Sequence, residues 1–175
     1  LRIFSGRSSV GVRGIKLAKN DSVISLAILN GIDFDVNERD EYLRISLSLR
    51  KKEKIENNTL AEDKFKTLQQ NEEFILSVTD KGFGKRSSAY EYRKTKRGGL
   101  GIANMQLTER NGSQVVASFP ISHNDQLMLV TDKGKLIRCP VNDVRIGGRQ
   151  TQGVTLFNVS DEERVVSVAK LEENE

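Results

Sequence analysis

The chain has 175 residues, of which 37% are hydrophobic and 30% charged, and its net charge is +4. That is room for one domain or a run of small repeats with a large wetted surface; no apolar run approaches the length of a membrane span, and no signal-type apolar core opens the chain. A single cysteine, Cys139, excludes an internal disulfide, and a single histidine, His123, leaves no cluster for a metal site or a Cys-His or Ser-His-Asp constellation.

The chain opens on Gly6-Arg7-Ser8-Ser9-Val10-Gly11-Val12. Apolar strands are predicted over 12–17 and 23–28, with a polar turn, Lys19-Asn20-Asp21, between them. Residues 33–70 read differently, as a helical hairpin or partly disordered insertion. Thr59-Leu60-Ala61-Glu62 has capping-box spacing and predicts a helix to about Gln70. The Arg50-Lys51-Lys52-Glu53-Lys54 run could touch DNA, but acids flank it on both sides, so a solvated helix face is the expectation.

Beyond the insertion the pattern is that of strands. Phe74-Ile75-Leu76-Ser77-Val78 is broken by Asp80-Lys81-Gly82 and followed by a polar run over 85–90, which predicts a hairpin with a left-handed residue at the glycine. Tyr90-Glu91-Tyr92 alternates like a strand. After Lys96-Arg97-Gly98-Gly99-Leu100-Gly101-Ile102 come predicted strands over 102–107 and 115–119, separated by Glu109-Arg110-Asn111-Gly112. Ser122-His123-Asn124-Asp125 is a turn cluster. A second hairpin over 127–141 turns at Asp132-Lys133-Gly134, and Cys139 within it reads as a half-buried filler. Gly148-Arg149-Gln150-Thr151-Gln152-Gly153-Val154 leads into strands over 154–159 and 165–168, and an acid-rich end carries Glu172, Glu173 and Glu175.

These segments repeat. Val78-Thr79-Asp80-Lys81-Gly82 returns 52 residues later as Val130-Thr131-Asp132-Lys133-Gly134, and Arg86 returns as Arg138. Three phrases fit x-Arg-x-x-x-Gly-(Val/Ile), at Arg7, Arg97 and Arg149. About four strands per unit is the arithmetic of a propeller blade, so the fold class expected is all-β: a propeller-like array of about three antiparallel blades over 1–175, interrupted by the insertion. The chain begins inside a repeat, which suggests a piece of something longer.

Charge follows the repeats. Residues 33–72 hold 8 basic and 10 acidic residues, whereas residues 73–158 hold 13 basic and 7 acidic. A recurrent arginine on each blade makes a ladder of cations suited to a duplex backbone contacted without base reading. The Gly-rich phrases lack the Gly-Lys-Ser/Thr ending of a phosphate loop, and Gly11, Gly101 and Gly153 read instead as bulged turns at positive φ. Asp80 and Asp132 sit in turns, so no acid–base pair and no catalytic residue is assigned.

The three phrases and Thr79-Asp80-Lys81-Gly82-Phe83-Gly84-Lys85-Arg86-Ser87-Ser88-Ala89-Tyr90-Glu91-Tyr92 resemble the C-terminal domain of the DNA gyrase A protein. The resemblance implies a β-pinwheel whose basic rim binds and wraps double-stranded DNA. It makes Arg7, Lys85, Arg86, Arg97, Arg138 and Arg149 rim candidates; with Arg13 and the locally dense Arg93, Lys94 and Lys96 they form the candidate DNA-binding set. It also implies a cytoplasmic, nucleoid-associated bacterial type II topoisomerase that supercoils DNA at the expense of ATP. This chain would join the gyrase A N-terminal region and gyrase B in an A2B2 holoenzyme, with ATP and magnesium held elsewhere and no cofactor or membrane contact here. The family's Gln-Arg-Arg-Gly-Gly-Lys-Gly box is present only as the degenerate Thr95-Lys96-Arg97-Gly98-Gly99-Leu100-Gly101. The alternatives are the corresponding domain of topoisomerase IV and a propeller-like protein-interaction platform.

Overall fold

In a computed structural model, residues 3–55 and 57–171 are described. The hairpins form where the repeat places them. β1 (Phe74–Thr79) pairs antiparallel with β2 (Phe83–Ser88), Phe74 opposite Ser88. β4 (Gln126–Thr131) pairs with β5 (Leu136–Pro140) in the same register 52 residues on, Gln126 opposite Pro140. On the other side of each inner strand lies β3 (Val115–Ile121) or β7 (Val165–Leu171), and both pairings slip at the same repeat position, Val78/Thr79 and Val130/Thr131. Leu76, Val78, Leu127 and Leu129 are fully buried and merge with Val141, Val144 and Val165 into one core shared by the two sheets.

The first sheet is completed from the next repeat. Its order is β3-β1-β2-β6, and β6 (Val154–Thr155) arrives from the third phrase, whereas the second sheet is β5-β4-β7. The strand expected over 154–159 is thus two residues long and closes the preceding unit rather than its own.

Several expectations are corrected. Residues 12–17, 23–28 and 102–107 form no strand, and residues 3–31 are exposed except for Leu29, with Val10, Leu26 and Ile28 wholly or almost wholly open to solvent. Among the described residues two sheets form, and the first repeat contributes none. An apolar alternation becomes a strand only when a partner supplies its hydrogen bonds, and these segments gain only an isolated bridge between Ile15 and Gly99 and scattered bonds such as that from the Gln106 amide to the Thr151 carbonyl. Tyr90-Glu91-Tyr92 is not strand either; residues Ala89–Glu91 form a single 3-10 turn.

The insertion is a helical hairpin of α1 (Val36–Lys51) and α2 (Glu62–Gln70). The capping box belongs to α1: Asp35 accepts from the Glu38 amide at 2.8 Å while Glu38 accepts from the Asp35 amide at 3.0 Å. The box expected at Thr59 does not form, because the Thr59 amide is drawn to Glu41 and α2 begins after Ala61 without a side-chain cap. Tyr42, Ile45, Leu60 and Leu68 bury themselves against Tyr90, whose hydroxyl donates to the Leu68 carbonyl at 3.0 Å. The insertion is therefore fastened to the first sheet. The acidic residues Glu172, Glu173 and Glu175 lie outside the described residues.

Candidate nucleic-acid interface

The recurrent Thr-Asp-Lys-Gly turn is a local device. The Thr79 hydroxyl accepts from the Phe83 amide at 3.3 Å, as Thr131 does from Lys135 at 3.2 Å. Asp80 accepts from Ser113 through its amide at 3.0 Å and its hydroxyl at 2.9 Å, and Asp132 accepts from the Arg164 amide at 3.0 Å. Each aspartate thus ties its hairpin to the chain entering the neighbouring strand. Gly82 and Gly134 take φ of 74° and 77°, the left-handed region in which a side chain is strained.

This hairpin receives the third phrase. Gly153 has φ of 80°, and a Cβ there would lie 2.7 Å from the Gly84 carbonyl oxygen. The positive φ expected at Gly11, Gly101 and Gly153 is present at all three, at 84°, 80° and 80°. At the third phrase the close approach adds a second reason for glycine.

Lys85 and Arg86, expected on an outer rim, face inward; this is the principal correction to the site. Lys85 is 1% exposed, and its Nζ donates to the Gly148 carbonyl at 2.7 Å and to that of Arg149. Arg86, 6% exposed, donates from Nε to the Val144 carbonyl at 2.7 Å and from Nη1 to Nδ1 of His123 at 2.9 Å. The Ser87 hydroxyl donates to the Gly147 carbonyl at 2.8 Å, and the Gly147 amide returns a bond to the Arg86 carbonyl at 2.9 Å. Three consecutive side chains thus satisfy the backbone of the incoming phrase. Burial pushes the Lys85 ammonium down to about 8, with Glu91 opposing and Arg149 adding to the shift. These two cations brace the junction between repeats.

The remaining candidates are accessible. Arg7, Arg13, Arg93, Lys94, Lys96, Arg97 and Arg138 are exposed, and Arg149 is half-buried. Arg138 occupies the repeat position of Arg86 yet lies open, because among the described residues nothing pairs with the outer edge of β5. Backbone contacts set the chain just beyond the first phrase beside the second phrase. The Gly98 amide donates to the Gly14 carbonyl at 2.7 Å and the Lys16 amide to the Gly99 carbonyl at 2.8 Å, so Arg13 and Arg97 stand on adjoining segments. Arg149 then donates from its guanidinium to the Ala103 carbonyl, just beyond the second phrase, while its amide is held by Glu91 at 2.6 Å. Lys94 lies 3.9 Å from Asp33, an exposed pair of little strength.

The sequence pattern did not single out Arg145, which the structure exposes beside the third phrase, nor the inner end of α1. With the phrase they border a cleft of about 690 Å³. The available signal was the basic run at 50–54, discounted for its acidic neighbours.

A family model described as the DNA gyrase C-terminal domain, beta-propeller, matches residues 2–30, 73–122 and 125–172. The chain belongs to the DNA gyrase A C-terminal domain family. The family pattern passes over residues 31–72, which hold the insertion. The chain is 45% identical to the DNA gyrase A protein of Granulibacter bethesdensis, with 100% of this chain and 21% of that protein aligned. It is 49% identical to the DNA gyrase A protein of Rickettsia felis, with 99% and 20% aligned. It therefore spans about a fifth of the length of these curated relatives. Among solved structures it is similar to a DNA gyrase A C-terminal domain, with TM-score 0.53 and 26% identity over 57% of this chain and 33% of that one. It is equally similar to the C-terminal domain of DNA topoisomerase IV, with TM-score 0.53 and 25% identity over 57% and 31%. The fold does not separate gyrase from topoisomerase IV; the identity to gyrase A sequences favours gyrase.

Proposed function

We propose that the chain binds duplex DNA without reading its bases and wraps it as the DNA-handling part of a gyrase A protein. The observation that carries this reading is the juxtaposition of the segments at and just beyond the three phrases. Bonds from Gly98 to Gly14, from Lys16 to Gly99 and from Arg149 to Ala103 put Arg13, Arg97 and Arg149 on successive neighbouring segments, with exposed Arg93, Lys94 and Lys96 close by in sequence. A row of cations without an aligned set of base-reading groups attracts the phosphate backbone through counterion release and follows its path. Lys85 and Arg86 belong to the support of that row rather than to its face. The proposed setting is the bacterial cytoplasm, within a holoenzyme of two gyrase A and two gyrase B chains. Strand cleavage, ATP and magnesium are assigned to other parts of that assembly.

Fluorescence anisotropy of the chain with a duplex at several salt concentrations tests the binding. Arg13→Ala and Arg97→Ala should each reduce the slope of log affinity against log salt by about one, equally for unrelated sequences. Binding indifferent to salt overturns the reading in favour of a protein-interaction platform. Wrapping is tested by closing a nicked plasmid on the protein with ligase: topoisomers shifted to one sign support it, and retardation without a shift refutes it.

A further inference from the structure

We infer that the insertion is a second DNA-binding element: the end of α1 and the third phrase together form a cleft that holds a phosphodiester segment of the bound duplex. The inference rests on the DNA-binding reading above and adds to it a wall, supplied by α1, that the family pattern does not cover.

The cleft, about 690 Å³, lies between α1 on one side and residues 145–154 on the other. Leu43 and Leu47 of α1 and Ile146 and Val154 of the opposite wall form its apolar sides. Five cations border it, Arg44, Arg50, Lys51, Lys85 and Arg145, against one acid, Glu91. Three of the five are already engaged. Arg44 is gripped by both oxygens of Glu41 at 2.7 and 2.9 Å, Arg50 by Glu72 at 2.7 Å, and Lys85 by two carbonyls. Glu91 is engaged too, by the Arg149 amide. The charge left over is positive and sits one on each wall. Among the described residues Lys51, on α1, pairs only with Glu53 at 3.6 Å, and both side chains are about half exposed. Arg145 has no ion pair and no side-chain hydrogen bond among the described residues.

A solvated helix face would direct such a cation to bulk water, not into a recess shared with another element. The recess is joined to the row of cations, because Gly148 and Thr151 of its wall flank Arg149 in the phrase. Gly147 and Gly148 leave that wall without side chains, so a ligand can approach the backbone closely. A strand that meets Arg149 continues into the cleft, where Lys51 and Arg145 neutralise its next phosphates and the leucines lie against the sugars.

The test compares three charge reversals in the intact chain: Lys51→Glu, Arg145→Glu and, as a control of equal net charge, Lys66→Glu on the exposed face of α2. Thermal melts of all three should match the parent, since none of these side chains is buried. Each cleft reversal should weaken duplex binding by about fivefold or more at low salt and lower the salt slope by at least one, with Lys66→Glu changing affinity about twofold or less. If the parent chain fails to bind duplex at all, the DNA reading itself falls. If the parent binds and the cleft reversals behave like Lys66→Glu, this inference alone falls. Binding of the anionic dye 8-anilinonaphthalene-1-sulfonate that Lys51→Glu and Arg145→Glu abolish, with duplex affinity unchanged, overturns it in favour of a small-molecule pocket.

Discussion

Replacing Arg86 separates the two roles that a repeated arginine can have. As a rim cation its loss would cost affinity for DNA and nothing else. In the structure its guanidinium reaches the carbonyl of Val144, a residue fully buried, together with His123 and, more distantly at 3.5 Å, the Asn142 carbonyl. Arg86→Ala leaves the Val144 carbonyl without a partner in a site that water does not reach, at about 1–3 kcal/mol, and removes a buried stem worth about another 1 kcal/mol. His123 and Asn142 are exposed and can turn to water, so they add little. The expected loss is therefore about 2–4 kcal/mol, a large share of the ~5–15 kcal/mol that holds a domain together. Urea unfolding of the variant measures it. The salt slope of DNA binding, taken where the variant is still folded, should equal that of the parent. Unchanged stability with a slope lowered by one would refute the assignment of Arg86 as an internal brace.

Two glycines at the same turn position should respond unequally. A Cβ on Gly82 would lie 2.2 Å from the Phe157 carbonyl oxygen, whereas one on Gly134 meets nothing within 4 Å. Gly82→Ala should cost roughly 3 kcal/mol or more and Gly134→Ala about 1–2 kcal/mol, the positive φ alone, as read from urea midpoints. Glu163 is held down to about 2 by the Lys135 ammonium and the Thr131 hydroxyl, each at 2.6 Å. Its folded pKa lies below the ordinary 4.5, so its contribution to stability is complete above that pH and is lost as the pH falls toward 2. Glu163→Gln should flatten the pH dependence of the melting temperature in that window. Lys85 gives a slope of the same sign in a higher window, because its folded pKa is also lowered. Folded, it gives up its proton near 8, while the unfolded chain keeps it to 10.5, so stability rises with pH between the two, and Lys85→Met should remove that rise.

The hairpins were legible because their information is local. A threonine, an aspartate and a glycine within four residues dictate the turn at both copies, and the apolar runs beside it dictate the buried strands. The insertion was legible as helical, but its capping box went to Asp35 and Glu38 because Glu41 captured the Thr59 amide from another part of the chain. The strands expected over 12–17, 23–28 and 102–107 have the right alternation and still fail, since a strand is completed by a partner that its own residues do not specify.

Sequence alone determined the repeat, its turns, the left-handed glycines and the excess of basic charge over 73–158. It could not determine which of those charges meets solvent. Arg86 and Arg138 hold the same place in the repeat, and one is buried while the other is exposed. The difference arises because a phrase some sixty residues downstream folds back onto β2 and presents its carbonyls to Arg86, whereas β5 has no such neighbour among the described residues. A buried cation persists only where acceptors replace its water, and only the tertiary structure decides where those acceptors lie.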